Sequence, residues 1–144
     1  MDITVTLHDL SWTARALVDT GAPSTVFDRS MGDALDVDYD KTPRKMVVHH
    51  LAGREHHAQL ETVILTVAKF PDLSWSTEVS FLVDDWEMPF QGLLGTHGFL
   101  DRWVVSFDVA GNLFYLEEPE SFNERIPPDF VAEFERRDTG FRGP

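Results

Sequence analysis

The stretch Ala16-Leu17-Val18-Asp19-Thr20-Gly21-Ala22 decides the reading of this chain. It is an apolar strand that runs straight into Asp-Thr-Gly, so a carboxylate is presented at a turn just after a buried segment. Glycine in the third position carries no side chain, which lets its N–H approach that carboxylate. The threonine hydroxyl can hydrogen-bond and lock the loop. Taken alone, Asp-Thr-Gly says little, because Asp and Gly favour turns and three residues recur by chance. A second copy, Asp138-Thr139-Gly140, illustrates this: it follows Arg136-Arg137 instead of an apolar strand, and Gly140 reads as a helix stop.

On the N-terminal side, Ile3, Val5 and Leu7 alternate with polar residues, as does the run from Thr13 to Val18, predicting a hairpin around His8 to Trp12. On the C-terminal side, Asp28 can cap a short helix from Arg29 to Leu35, with Met31 and Leu35 on one face. After a polar connector, Lys45 to Leu51 and His56 to Val67 flank Ala52-Gly53-Arg54, where Gly53 suits the turn of a long hairpin. Val79 to Val83 reads as a further strand. Pro89 and Gly92 then break the pattern before Leu93-Leu94-Gly95. Gly98 to Arg102 can form one helical turn, and Val104 to Val109 pairs with Leu113 to Leu116 across Ala110-Gly111-Asn112. Beyond Glu118, Pro119, Pro127 and Pro128 punctuate an acidic stretch, with a short amphipathic helix expected from Asp129 to Arg137. The expected organisation is a domain over 1–118 and a C-terminal tail over 119–144.

Composition sets the bounds. With 144 residues, 42% of them hydrophobic, eleven Phe and four Trp, the chain has material for one folded core. It has no cysteine, which excludes disulfides, thiolate zinc sites and a Cys nucleophile. The formal charge of −13 opposes a nucleic-acid backbone or an anionic membrane as partner. The start, Met1-Asp2-Ile3-Thr4, has neither a basic segment nor an apolar run of secretory type, so the cytoplasm is the expected compartment.

Asp19-Thr20-Gly21 gains its weight from Gly92-Leu93-Leu94-Gly95, followed by Phe99-Leu100-Asp101-Arg102-Trp103 and Val105-Ser106-Phe107-Asp108. This order resembles the retropepsin-like (retroviral-type) aspartic proteases, in particular bacterial single-domain members, from Ile3 to Leu116. In that family the catalytic loop is followed by a flap hairpin, an apolar-apolar-Gly strand threading beneath the loop, a helical turn and a closing hairpin. The resemblance implies an all-β fold: a small closed barrel with a flap and one or two short helices. It also implies an aspartic endopeptidase with Asp19, Thr20 and Gly21 as catalytic residues. Leu51, Ala52, Gly53 and Arg54 would form the flap over a peptide or protein substrate. One chain supplies one such aspartate, so a homodimer is implied, with water activated between two Asp19 carboxylates and no metal or organic cofactor. Three features depart from the family pattern: Pro23 stands in a segment often polar or acidic, the flap tip has one glycine, and the tail after Glu118 has no counterpart. The alternative reading keeps the barrel and drops the catalysis, leaving a dimerisation or peptide-binding module.

Other chemistry-bearing residues read more plainly. Asp84-Asp85 and Glu117-Glu118 are expected as solvated carboxylates at strand ends. Trp103, Phe107 and Tyr115 are expected in the core. Four of the six histidines, His49, His50, His56 and His57, flank the expected flap tip. If Ala52 to Arg54 is the turn, His50 faces His56 and His49 faces His57. That pairing would make a flap that loosens in acid, against the simpler reading of polar residues on an exposed hairpin.

Overall fold

A computed structural model describes residues 1–40, 45–49, 55–85 and 89–125. The chain divides into two compact units, Met1–Asp101 and Arg102–Pro144.

The first unit begins with β1 (Asp2–Leu7) and β2 (Leu10–Val18), an antiparallel hairpin in which Leu7 faces Leu10. The turn is only His8-Asp9, tighter than expected, and His8 takes a left-handed φ of 53° to make it. The alternation predicted for β1 holds: Ile3, Val5 and Leu7 are buried. β3 (Val26–Phe27) leads into α1 (Arg29–Ala34), whose N-cap is Asp28, as predicted. The Asp28 carboxylate accepts from the Met31 N–H at 2.9 Å, satisfying one of the helix's orphan donors. Met31 in this short helix and Leu35 at its C-cap are fully buried.

β4 (Lys45–His49), β5 (Glu55–Val67), β6 (Phe70–Leu82) and β7 (Gly92–Leu94) complete the unit. The pairing order is β1-β2-β7-β3-β6-β5, and β5 returns to pair with β1, so six strands close into a barrel with β4 added outside on β5. Val63, Leu65, Trp75 and Phe81 fill it with the residues of β1. Phe27 and Phe81 stack at 5.8 Å.

β6 is much longer than the predicted Val79 to Val83. Pro71 conceals its first half, because proline cannot donate to a sheet ladder. The structure accommodates it in an irregularity: Val67 faces Phe70 while Thr66 already faces Ser74, leaving residues 71–73 out of register. Gly98 to Arg102 is turn and not helix. Gly98 has φ 93°, outside the helical region, and Leu100 and Asp101 donate back to Gly95 and Thr96 across a wider loop than an α-helix closes.

The second unit holds the antiparallel pair β8 (Val104–Asp108) and β9 (Leu113–Glu117), then α2 (Pro119–Arg125). The predicted hairpin is present, with the Gly111 N–H donating to Asp108 at 2.9 Å in its turn. Phe107 and Tyr115 are not core, contrary to expectation: they are 52% and 56% exposed, because a two-stranded ribbon leaves its faces uncovered within this unit. Trp103 is buried as expected. Pro119, read as a breaker, opens α2, where a missing N–H costs no helix bond. Glu117 is no free carboxylate, since Arg125 holds it through two nitrogens, at 2.6 and 3.3 Å. The expected helix from Asp129 to Arg137 and the second Asp-Thr-Gly lie outside the described residues. Among the described residues no helix is long and apolar enough to cross a membrane.

Candidate active site

β2 delivers Asp19. Its last three residues pair in parallel with β7, Ala16 with Gly92, Leu17 with Leu93 and Val18 with Leu94. The chain then leaves the sheet, with the Asp19 N–H still donating to the Leu94 carbonyl at 3.1 Å. Asp19 is half-buried, and its Oδ1 accepts from the Gly21 N–H at 2.9 Å. A Cβ on residue 21 would stand 3.2 Å from that oxygen, so glycine is what allows this approach without crowding. Among the described residues no second hydrogen bond to this carboxylate is found. Thr20 and Gly21 are exposed beside it.

The outgoing limb of the loop is pinned by the segment after β7. Ala22 O accepts from Thr96 N at 2.8 Å, Pro23 O accepts from His97 N at 3.0 Å, and Thr25 N donates to His97 O at 2.9 Å. Pro23 contributes only its carbonyl, so its missing N–H is no defect here. Thr25, fully buried, accepts the Gly95 N–H on its Oγ1 at 3.2 Å. Residue 95 has to be glycine for the two segments to lie this close: a Cβ there would be 2.3 Å from Ser24 O and 2.8 Å from Ala22 O. The two motifs on which the resemblance rests are therefore two sides of one hydrogen-bonded assembly.

Beside Asp19 the strands carry an apolar strip. Leu17, Leu93 and Val26 stand in one row across β2, β7 and β3, and Val26 packs with Ala58 of β5 and Leu82 of β6. Leu17 is 46% exposed at the end nearest the carboxylate. Leu17 and Leu93, the accessible part of the strip, offer apolar contact next to an acid, whereas Val26 is buried in the core.

The predicted flap residues Leu51, Ala52, Gly53 and Arg54 lie outside the described residues, whereas the strands carrying them, β4 and β5, are present. Their register corrects the histidine pairing. His49 faces Glu55, His56 faces Val48 and His57 faces Val47, so the ladder sets no histidine of β4 and β5 opposite another. The connection spans residues 50–54, longer than the Ala52-Gly53-Arg54 turn assumed from sequence, and the difference shifts every pair. His56 Nδ1 lies instead 3.8 Å from Asp84, and without facing histidines the acid-loosened flap loses its basis. Thr25, His97 and Trp75 were not singled out from sequence. The only signal for the first two was nearness to the two motifs, and Trp75 carried none.

A family model described as aspartyl protease matches residues 3–97. No curated protein matches the chain. Among solved structures, the chain is similar to a retropepsin-like aspartic protease from Rickettsia conorii, with a TM-score of 0.55 and 19% identity over 79% of this chain and 87% of that one. The retroviral protease-like domain of Ddi1 from Leishmania major gives a TM-score of 0.45 and 14% identity over 81% of this chain and 85% of that one.

Proposed function

The chain belongs to the aspartyl protease family, and from that premise we propose that it is an endopeptidase whose site is completed by a second copy of itself. Family and retropepsin-like fold together point to a hydrolase. The observation that carries the finer reading is Asp19 itself: half-buried, one oxygen bonded by the Gly21 N–H, on a loop pinned to β7 and exposed at Thr20. A lone carboxylate so placed can orient a water but lacks the acid that an amide carbonyl requires.

Two Asp19 side chains meeting across a twofold axis supply both roles. Like charges a few ångströms apart do not both ionise, so the pair keeps one proton; this is general behaviour of aspartic-protease pairs, carried over to this chain. The ionised carboxylate takes a proton from water, and the water oxygen attacks the scissile carbonyl carbon. The protonated carboxyl hydrogen-bonds the carbonyl oxygen as it gains charge. Collapse of the tetrahedral species sends a proton to the leaving amide nitrogen and breaks the C–N bond. Leu17 and Leu93 would take an apolar substrate side chain, and β4 and β5 would border the extended peptide.

The test is cleavage of a peptide library at acidic pH by wild type and by Asp19→Asn, which removes the titrating carboxyl while nearly keeping its shape. Cleavage lost in Asp19→Asn supports the reading. Equal inactivity of both proteins would leave the peptide-binding module in its place.

A further inference from the structure

Asp101 lies outside both motifs, yet it grips the segment that pins the catalytic loop. Its Oδ1 accepts from the Gly98 N–H at 3.1 Å, and its Oδ2 is 3.2 Å from His97 Nδ1. His97 is the residue whose N–H and carbonyl bond Pro23 and Thr25, so the grip falls one bond away from the loop. From the opposite side, the buried indole Nε1 of Trp75 on β6 donates to the Gly98 carbonyl at 3.0 Å. Gly98 is thus held by both its N–H and its C=O.

Its conformation explains why such holding is needed. At φ 93° it occupies backbone space that other L-residues rarely enter, and a Cβ there would meet Thr25 and the Glu78 carbonyl at 3.2 Å. Glycine reaches this conformation at an entropic cost, so the segment needs partners to stay in it.

We infer that Asp101 is a positioning residue for Asp19, acting through Gly98 and His97 on the Ala22 to Thr25 limb of the loop. This deepens the protease reading and rests on it for its kinetic consequence. Of the two Asp101 contacts, the acceptor role toward Gly98 dominates. The His97 pair is weak because both side chains are largely exposed, 61% and 46%, and it is an ion pair only when the imidazole is protonated. Asparagine, which keeps an acceptor oxygen, should therefore substitute for Asp101, and alanine should not.

The experiment compares wild type, Asp101→Asn and Asp101→Ala in steady-state cleavage of one peptide and in amide hydrogen exchange. Misplacing the acid affects the chemical step more than binding, so Asp101→Ala should lower kcat by about 10- to 100-fold with KM within about 3-fold. Amides of Thr25, Thr96 and His97 should lose about 10-fold or more in protection while those of β1 and β5 keep theirs. Asp101→Asn should restore both readouts to within about 3-fold of wild type. A uniform loss of protection across the barrel in Asp101→Ala, unchanged kcat, or an Asp101→Asn as impaired as alanine would each overturn the inference. If wild type itself cleaves nothing, the protease reading fails, and local loss of protection, reversed by asparagine, still decides whether Asp101 holds the loop.

Discussion

The backbone N–H of Asp19 donates to the carbonyl of Leu94 at 3.1 Å, so this residue leaves its own strand while anchored to another. The height of Asp19 above the barrel is therefore set by β7 and by the segment that follows it. Substitutions there should act on the site without touching the acid.

Gly95→Ala is the sharpest such change. Its Cβ would meet Ser24 O at 2.3 Å, a backbone atom that cannot rotate aside. The loop and the segment after β7 must separate to admit it. We expect destabilisation of about 1–3 kcal/mol, the usual cost of overpacking, read by chemical denaturation, together with a loss of cleavage. Unchanged stability would mean that the two segments separate freely.

Local signals explain what was legible. The Asp28 cap, the alternation of β1 and the hairpin of β8 and β9 each depend on residues a few positions apart, and each is found where the sequence puts it. The flap register failed because one glycine does not fix a turn's length, and residues 50–54 separate His49 from Glu55. The first half of β6 was hidden by Pro71, which escapes its usual penalty only through a register irregularity visible in three dimensions. At the site, Asp19 and Gly21 were readable because their bond closes over two residues. The bond from Trp75 to Gly98 joins distant segments, and no spacing rule announces it.

Asp19→Asn should lower cleavage by at least about 100-fold, the scale of a lost general acid–base group. Asp138→Asn should leave activity at the wild-type level, because its Asp-Thr-Gly follows no apolar strand. Equal losses in the two variants would remove Asp19 from its assigned role.

Assembly can be tested by mixing. If one site needs Asp19 from two chains, an equal mixture of wild type and Asp19→Asn, allowed to exchange, forms active homodimers as about one quarter of its dimers. Independent chains would give about one half of wild-type activity. Sedimentation at the same concentrations should report a dimer, and a linear dependence of activity on wild-type fraction would exclude a shared site.

Tyr39 provides a check on the fold that needs no substrate. Its phenol is pushed up to about 12 from 10.0, first by burial and then by the nearby Asp33 carboxylate, with the Arg29 guanidinium 4.7 Å from the ring pulling the other way. In the unfolded chain the phenol ionises near 10.0, so between pH 10.0 and about 12 the unfolded state has lost a proton that the folded state keeps. The unfolded state then binds fewer protons, and stability falls as pH rises through that window. Below it the contribution is fully present. The comparison is wild type against Tyr39→Phe, which keeps the ring and removes the ionisable group. At pH 8 the variant should lose no more than about 1 kcal/mol, since the bond of the hydroxyl to Arg29 O is long, 3.4 Å. Between pH 10 and 12 it should decline less steeply than wild type in denaturant midpoint. Parallel curves would mean that Tyr39 ionises as freely in the folded protein as in the unfolded chain, and that its packing against α1 is looser than the geometry describes.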